Sequence, residues 1–176
     1  VAVGHGMGGL LVLKAAAERV RVAGLVLLDA EAPAAIRPPV KPHVVRDVPA
    51  VYGRSVLGWQ TLPEKLQREN RDLTLEDVLR IKHLLGQKPH ESGRARAAML
   101  GGVPVRPDLL DGVPMLVIGS GVDGAPAALT AERLAEWLDA EHEQFGAASH
   151  FGLVLAEEGH RQVADRVRAF LETHRL

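Results

Sequence analysis

The run Gly4-His5-Gly6-Met7-Gly8-Gly9 carries the densest chemical signal in the chain. Gly4-x-Gly6-x-x-Gly9 stands between a short apolar stretch and a helical pattern, and Asp29 lies twenty residues beyond the last glycine. That spacing fits a dinucleotide fingerprint, in which glycines admit a pyrophosphate at a helix N-terminus and an acid holds the ribose. The fit is incomplete, because a third strand should soon follow Asp29 and a proline-rich stretch comes instead. Other groups able to move protons are scattered: Asp123 in a glycine-rich loop, and His150 within Ala148-Ser149-His150-Phe151-Gly152. The serines are Ser55, Ser92, Ser120 and Ser149. His142 between Glu141 and Glu143 has the residue types of a metal site. Neighbours on a strand point to opposite faces, so a shared ion is not expected there, and no metal is assigned.

The elements that must position these groups alternate between apolar β-rich runs and helical patterns, which implies parallel βα units and an α/β fold. Val1 to Val3 reads as a short strand, followed by a helix with Leu10, Leu13, Ala17 and Val20 at helical spacing. Val22 to Leu28 reads as a strand apolar enough to be covered on both faces, ending at Asp29. From residue 34 to about 111 the rhythm breaks. Five prolines between 33 and 49 preclude regular helix early on, and a helix capped by Thr74 follows, burying Leu75, Val78, Leu79 and Leu85. This segment reads as an inserted helical cap. The βα rhythm resumes with a strand over Met115 to Ile118, a loop from Gly119 to Leu129 and a helix opening at Thr130 with Leu134, Trp137 and Leu138 on one face. A fourth short strand is expected around Glu143 to Phe145. A last helix from Glu157 to Thr173 places Val163, Val167, Phe170 and Leu171 on one stripe.

Composition bounds the function classes. The 176 residues are 47% hydrophobic and 24% charged, as in an ordinary globular domain, and the formal net charge is −1, so no global field favours nucleic acid. No apolar run approaches the ~20 residues of a membrane span, so no membrane partner is expected and a cytoplasmic setting is. The chain contains no Cys, which removes disulfides, thiolate metal ligands and a Cys nucleophile. It opens on Val1 as if inside a strand. The expectation is therefore that it is the C-terminal part of a longer fold, with an unpaired first strand that makes it prone to aggregate alone and with the missing N-terminal half as its natural partner.

Read as Gly4-His5-Gly6-Met7-Gly8-Gly9, the glycine run resembles the G-H-S-M-G-G elbow of the α/β-hydrolase superfamily, whose G-x-S-x-G lifts a serine onto a sharp strand-to-helix turn. Here Gly6 takes the serine's place. Val22-Ala23-Gly24-Leu25-Val26-Leu27-Leu28-Asp29 is similar to that family's next strand. Val113 to Gly124 is similar to its strand and acid loop, and Ala148 to Gly152 to its histidine loop. The resemblance implies residues 1–33 and 112–176 as a hydrolase core of about four mainly parallel strands, and 34–111 as the lid over the substrate. It maps the chain order nucleophile, acid, histidine onto Gly6, Asp123 and His150, with Asp29 and Glu31 as alternative acids. It gives the backbone N–H of Met7 as one oxyanion donor, and His5 packs behind the elbow.

The implied chemistry is acyl transfer on a small apolar ester- or acyl-type ligand, with no cofactor. Gly6 cannot attack a carbonyl, and neither Ser120 nor Ser149 falls on the turn by chain order. Removing such a serine costs on the order of 10⁶ in turnover, leaving roughly 10³ to 10⁴ over water from binding and oxyanion stabilisation. Acyl-enzyme turnover is therefore not expected. The alternatives are a non-catalytic ligand-binding protein and a lyase or oxygenase using an Asp-His general base.

Overall fold

Leu25–Leu28 (β2) and Met115–Ser120 (β3) are buried along their whole length in the computed structural model, as strands covered on both faces must be. The structure describes residues 1–37, 67–68, 70–87, 101–121 and 125–176. Ala2–His5 (β1) pairs with β2 and Glu141–Phe145 (β4) with β3, giving one parallel sheet in the order β1-β2-β3-β4. The register sets Ala2 opposite Leu25, Leu25 opposite Met115, and Leu116 opposite Glu141.

Alternation along β2 and β3 divides the core in two. Leu25, Leu27, Met115 and Val117 pack with Leu10, Leu13 and Ala17 of α1 (Met7–Glu18) and with Leu134 and Leu138 of α3 (Ala125–Leu138). Val26, Leu28, Leu116 and Ile118 pack with Leu153 of α4 (Gly152–Leu155) and with Val163 and Phe170 of α5 (Glu157–His174). This is the expected α/β architecture of four parallel strands flanked by helices.

Several boundaries differ from the sequence expectation. Val20 lies past the end of α1 and is exposed. The second strand begins at Leu25 rather than Val22, and the third runs on to Ser120. The next helix opens at Ala125, five residues before Thr130. Pro126 does not prevent this, because the first turn of a helix has no use for the N–H that proline lacks. The stretch expected as a loop around His150 contains the short helix α4.

Between β2 and β3, α2 (Leu75–Gln87) starts where Thr74 predicts it. Thr74 Oγ1 accepts from the Asp77 N–H at 3.2 Å, and the Asp77 carboxylate accepts from both the N–H and the hydroxyl of Thr74. The buried face is the expected one only at Val78. Val78 and Ile81 are buried with Leu73 against Phe151, Leu155 and Ala156, whereas Leu75 and Leu79 are 59% and 52% exposed. The partner of α2 is the histidine-loop region, and it covers only the stripe one step round from Leu75 and Leu79. The Leu85 side chain lies outside the described residues, as do all the prolines from Pro38 to Pro49. Among the described residues no helix is long and apolar enough to cross a membrane.

Candidate active site

Three parallel strands end at the same edge of the sheet, and each end delivers one residue. Gly6 follows β1, with its N–H donating to the Leu28 carbonyl at 2.9 Å. Asp29 follows β2, with its N–H donating to the Ile118 carbonyl at 2.8 Å. Ser120 closes β3. His150 comes from the loop after β4. A site outside the carboxyl ends of parallel strands is the general expectation for such sheets.

Gly6 occupies the turn with φ 56° and ψ −126°, a left-handed conformation that side-chain-bearing residues rarely adopt. Its neighbours in the glycine run have steric reasons of their own. A Cβ on Gly4 would stand 2.6 Å from the Gly9 Cα, and one on Gly9 would stand 2.5 Å from the Ala30 Cβ. The first reflects the close approach of β1 to α1, and the second the close approach of α1 to the chain just beyond β2. A Cβ on Gly6 would stand 3.1 Å from both Cε1 and Nε2 of His150. The imidazole therefore leans over the place a nucleophile would occupy, slightly closer than a serine would allow.

The other ring nitrogen of His150, Nδ1, lies 3.1 Å from Asp29 Oδ2. An ionised carboxylate only accepts, so Nδ1 carries a proton, and Nε2 is the ring nitrogen turned toward Gly6. Asp29 also accepts from the Ser120 N–H at 2.8 Å on Oδ1 and from the Ser120 hydroxyl at 2.5 Å on Oδ2. Its backbone has φ 43°, a region Asp tolerates better than most residues, and the side chain is 6% exposed. Burial pushes this carboxyl up, but the hydrogen bonds from His150 and Ser120 together outweigh it and hold Asp29 below its ordinary value. His150 itself is 37% exposed.

His5 does more than pack behind the turn. Its ring stacks on His150 at 4.2 Å between centroids, and its Nε2–H donates to the His150 carbonyl at 2.9 Å. Burial first, and then the neighbouring His150, hold His5 below its ordinary value. Glu31 is exposed and takes part through its backbone, whose N–H donates to the Gly6 carbonyl. Asp123 lies outside the described residues. Met7 is the first residue of α1, so its N–H has no acceptor within the helix. Ser120, weighed from sequence only as an improbable nucleophile, turns out to be a donor to Asp29. Its position at the end of a buried strand was the available signal.

The dinucleotide reading asked the same residues for other duties. Asp29 spends its carboxylate on Ser120 and His150, and His150 stands over the turn where a pyrophosphate would lie. As for metals, Glu141 and Glu143 both pair with Arg166 while His142 between them is exposed. Among the described residues no group of three or more His, Asp or Glu could hold an ion. A cavity of about 590 Å³ opens between the N-terminal ends of α2 and α5, lined by Asp77, Glu157 and Glu158 among others, but neither Gly6 nor His150 reaches it.

No protein-family profile and no curated protein matches the sequence. Solved structures do match. MenH from S. aureus aligns over 99% of this chain and 68% of its own, with TM-score 0.64 and 17% identity. The chain has the α/β-hydrolase fold. Tomato methylketone synthase I, complexed with 2-tridecanone, aligns over 98% of this chain and 70% of its own, with TM-score 0.62 and 15% identity. Est816, an N-acyl homoserine lactone degrading enzyme, covers 96% of this chain and 66% of its own, with TM-score 0.58 and 17% identity. The chain thus spans about two thirds of the length of these α/β-hydrolase-fold proteins.

Proposed function

We propose that this protein holds a small apolar acyl ligand over the Gly6 turn and acts on it by proton transfer through His150, without an acyl-enzyme. One observation carries the reading: His150 presents Nε2 at 3.1 Å from the missing Cβ of Gly6 while Asp29 fixes Nδ1. The acid and base of a hydrolytic centre are assembled, and the attacking hydroxyl is replaced by open backbone. A ligand carbon beside its carbonyl then meets Nε2 where a serine oxygen would have stood.

In that arrangement Nε2 takes a proton from the carbon next to the carbonyl, and the C–H electron pair moves onto the carbonyl oxygen as an enolate. The Met7 N–H at the positive end of α1 stabilises that charge. Asp29 stays ionised and steadies the imidazolium, which then returns the proton. An acyl or keto ligand is the class supported by the fold neighbours, among them tomato methylketone synthase I complexed with 2-tridecanone and the N-acyl homoserine lactone degrading enzyme Est816. Asp123 remains the acid that the resemblance assigns, and Asp29 is the one preferred here on its contact with His150. The resemblance assigns residues 34–111 to a lid over the ligand, and much of that span lies outside the described residues.

Gly6→Ser tests the site. The serine variant should label with a fluorophosphonate and turn over a p-nitrophenyl ester, and His150→Gln in that background should abolish both. No labelling of a folded Gly6→Ser protein would refute the reading. Solvent deuterium exchange into the C–H positions next to the carbonyl of 2-tridecanone separates the catalytic reading from simple binding. Exchange no faster than in His150→Ala would leave a ligand-binding protein of the same fold.

A further inference from the structure

The His150 loop is gripped on both sides by one short segment from between β2 and β3. Asn70 Oδ1 accepts from the Phe151 N–H at 3.1 Å, and Asp72 Oδ2 accepts from the Ser149 N–H at 2.9 Å. These are the two peptide N–H groups flanking His150. Asn70 and Ser149 are both buried, so neither contact is a solvated surface accident. The loop is shaped to receive the clamp. A Cβ on Gly152 would fall on the Asp72 carboxylate, so only glycine lets Asp72 approach, and the Gly152 N–H is turned instead to the Ser149 hydroxyl at 3.0 Å. Immediately beyond, Leu73, Val78 and Ile81 pack against Phe151, Leu155 and Ala156, which ties α2 to the same loop.

We propose that Asn70 and Asp72 are positioning residues for His150, so that the segment between β2 and β3 sets where the imidazole stands over Gly6. The inference rests on the acid–base reading of His150. Its physical basis is leverage. Among the contacts that place the ring are three: Asp29 on Nδ1, His5 on the carbonyl, and the Asn70–Asp72 pair on the N–H groups of the two neighbouring residues. The first two hold the residue from the sheet side. Without the third, the partly buried N–H groups on either side of His150 lose their acceptors, and the loop shifts to satisfy them. Any ligand that moves residues 70–73 would then move the base.

The test uses Asn70→Ala, Asp72→Ala and Asp72→Asn in the whole chain, read by the ¹H–¹³C cross-peak of the His150 ring, assigned by its loss in His150→Gln. Both alanine variants should displace that cross-peak, and Asp72→Asn, which keeps an acceptor, should return it close to its original place. In the Gly6→Ser background each alanine variant should slow fluorophosphonate labelling, approaching 10²-fold for a ring displaced by about 1 Å. Should Asp72→Ala not fold, Asn70→Ala carries the same expectation alone. A folded alanine variant that melts lower yet leaves the cross-peak and the labelling rate unchanged overturns the proposal. If the cross-peak moves but the Gly6→Ser parent never labels, the clamp stands and the acid–base reading fails.

Discussion

Placing any side chain at position 6 should destabilise the fold in a way that separates backbone strain from lost space. At φ 56° and ψ −126° a residue with a Cβ incurs roughly 1 to 3 kcal/mol of strain, against which the stiffer unfolded chain returns about 0.4 to 1 kcal/mol. The Cβ also meets the His150 ring at 3.1 Å, which the ring relieves by retreating a few tenths of an ångström. Gly6→Ala should therefore lose about 1 to 2 kcal/mol, or about 2 to 8 °C in Tm for a chain of this size. Gly6→Ser should lose a similar amount, because the strain belongs to the backbone. Two neighbours calibrate the result. Nothing lies within 4 Å of a Cβ on Gly8, a helical position, so Gly8→Ala should gain about 0.5 kcal/mol, whereas Gly9→Ala should lose more than Gly6→Ala because its Cβ meets Ala30. Urea unfolding followed by tryptophan fluorescence measures all four. A Gly6→Ala protein as stable as the parent would show that the turn is not held left-handed, and the geometry at His150 would fall with it.

The buried carboxylate should leave a signature in pH. Because the folded pKa of Asp29 lies below its ordinary 3.8, the stability it contributes is complete above that value and is lost as pH falls through the lowered one. Urea unfolding of wild type and Asp29→Asn should accordingly differ by a constant amount at neutral pH and converge in strong acid. His5, also lowered, has the unfolded chain taking its proton first, so stability should decline as pH drops below 6.5, and His5→Gln should remove that slope. Ser120→Ala deletes the hydroxyl donor to Asp29 and keeps the backbone one. It should cost about 1.5 to 3 kcal/mol and raise the Asp29 titration seen by carboxyl ¹³C NMR, and an unmoved titration would show the hydroxyl contact to be unimportant.

The sequence by itself determined the parts that depend on neighbours along the chain. An uninterrupted apolar run predicts a strand buried on both faces wherever it lies, and Leu25–Leu28 is such a strand. Thr74 with Asp77 three residues on marks a helix start through a local capping bond, and α2 begins there. The glycine run between strand and helix marks a sharp turn because few other residues tolerate it, and Gly6 sits in that turn. What the chain order left open was decided by which residues meet across the sheet. Chain order offers Asp29 and Glu31 alike as alternatives to Asp123 for the acid. The parallel register brings Asp29, and not Glu31, beside Ser120, and a left-handed φ aims it at His150. The buried face of α2 follows the same logic. Helical spacing alone places Leu75 and Leu79 with Val78, and the partner surface around Phe151 buries Val78 with Ile81 instead. The grip of Asn70 and Asp72 on the amides beside His150 spans some eighty residues and uses side chains that carry no motif. Such contacts follow from three-dimensional packing, where hydrogen-bond partners are assigned by proximity and burial rather than by position in the chain.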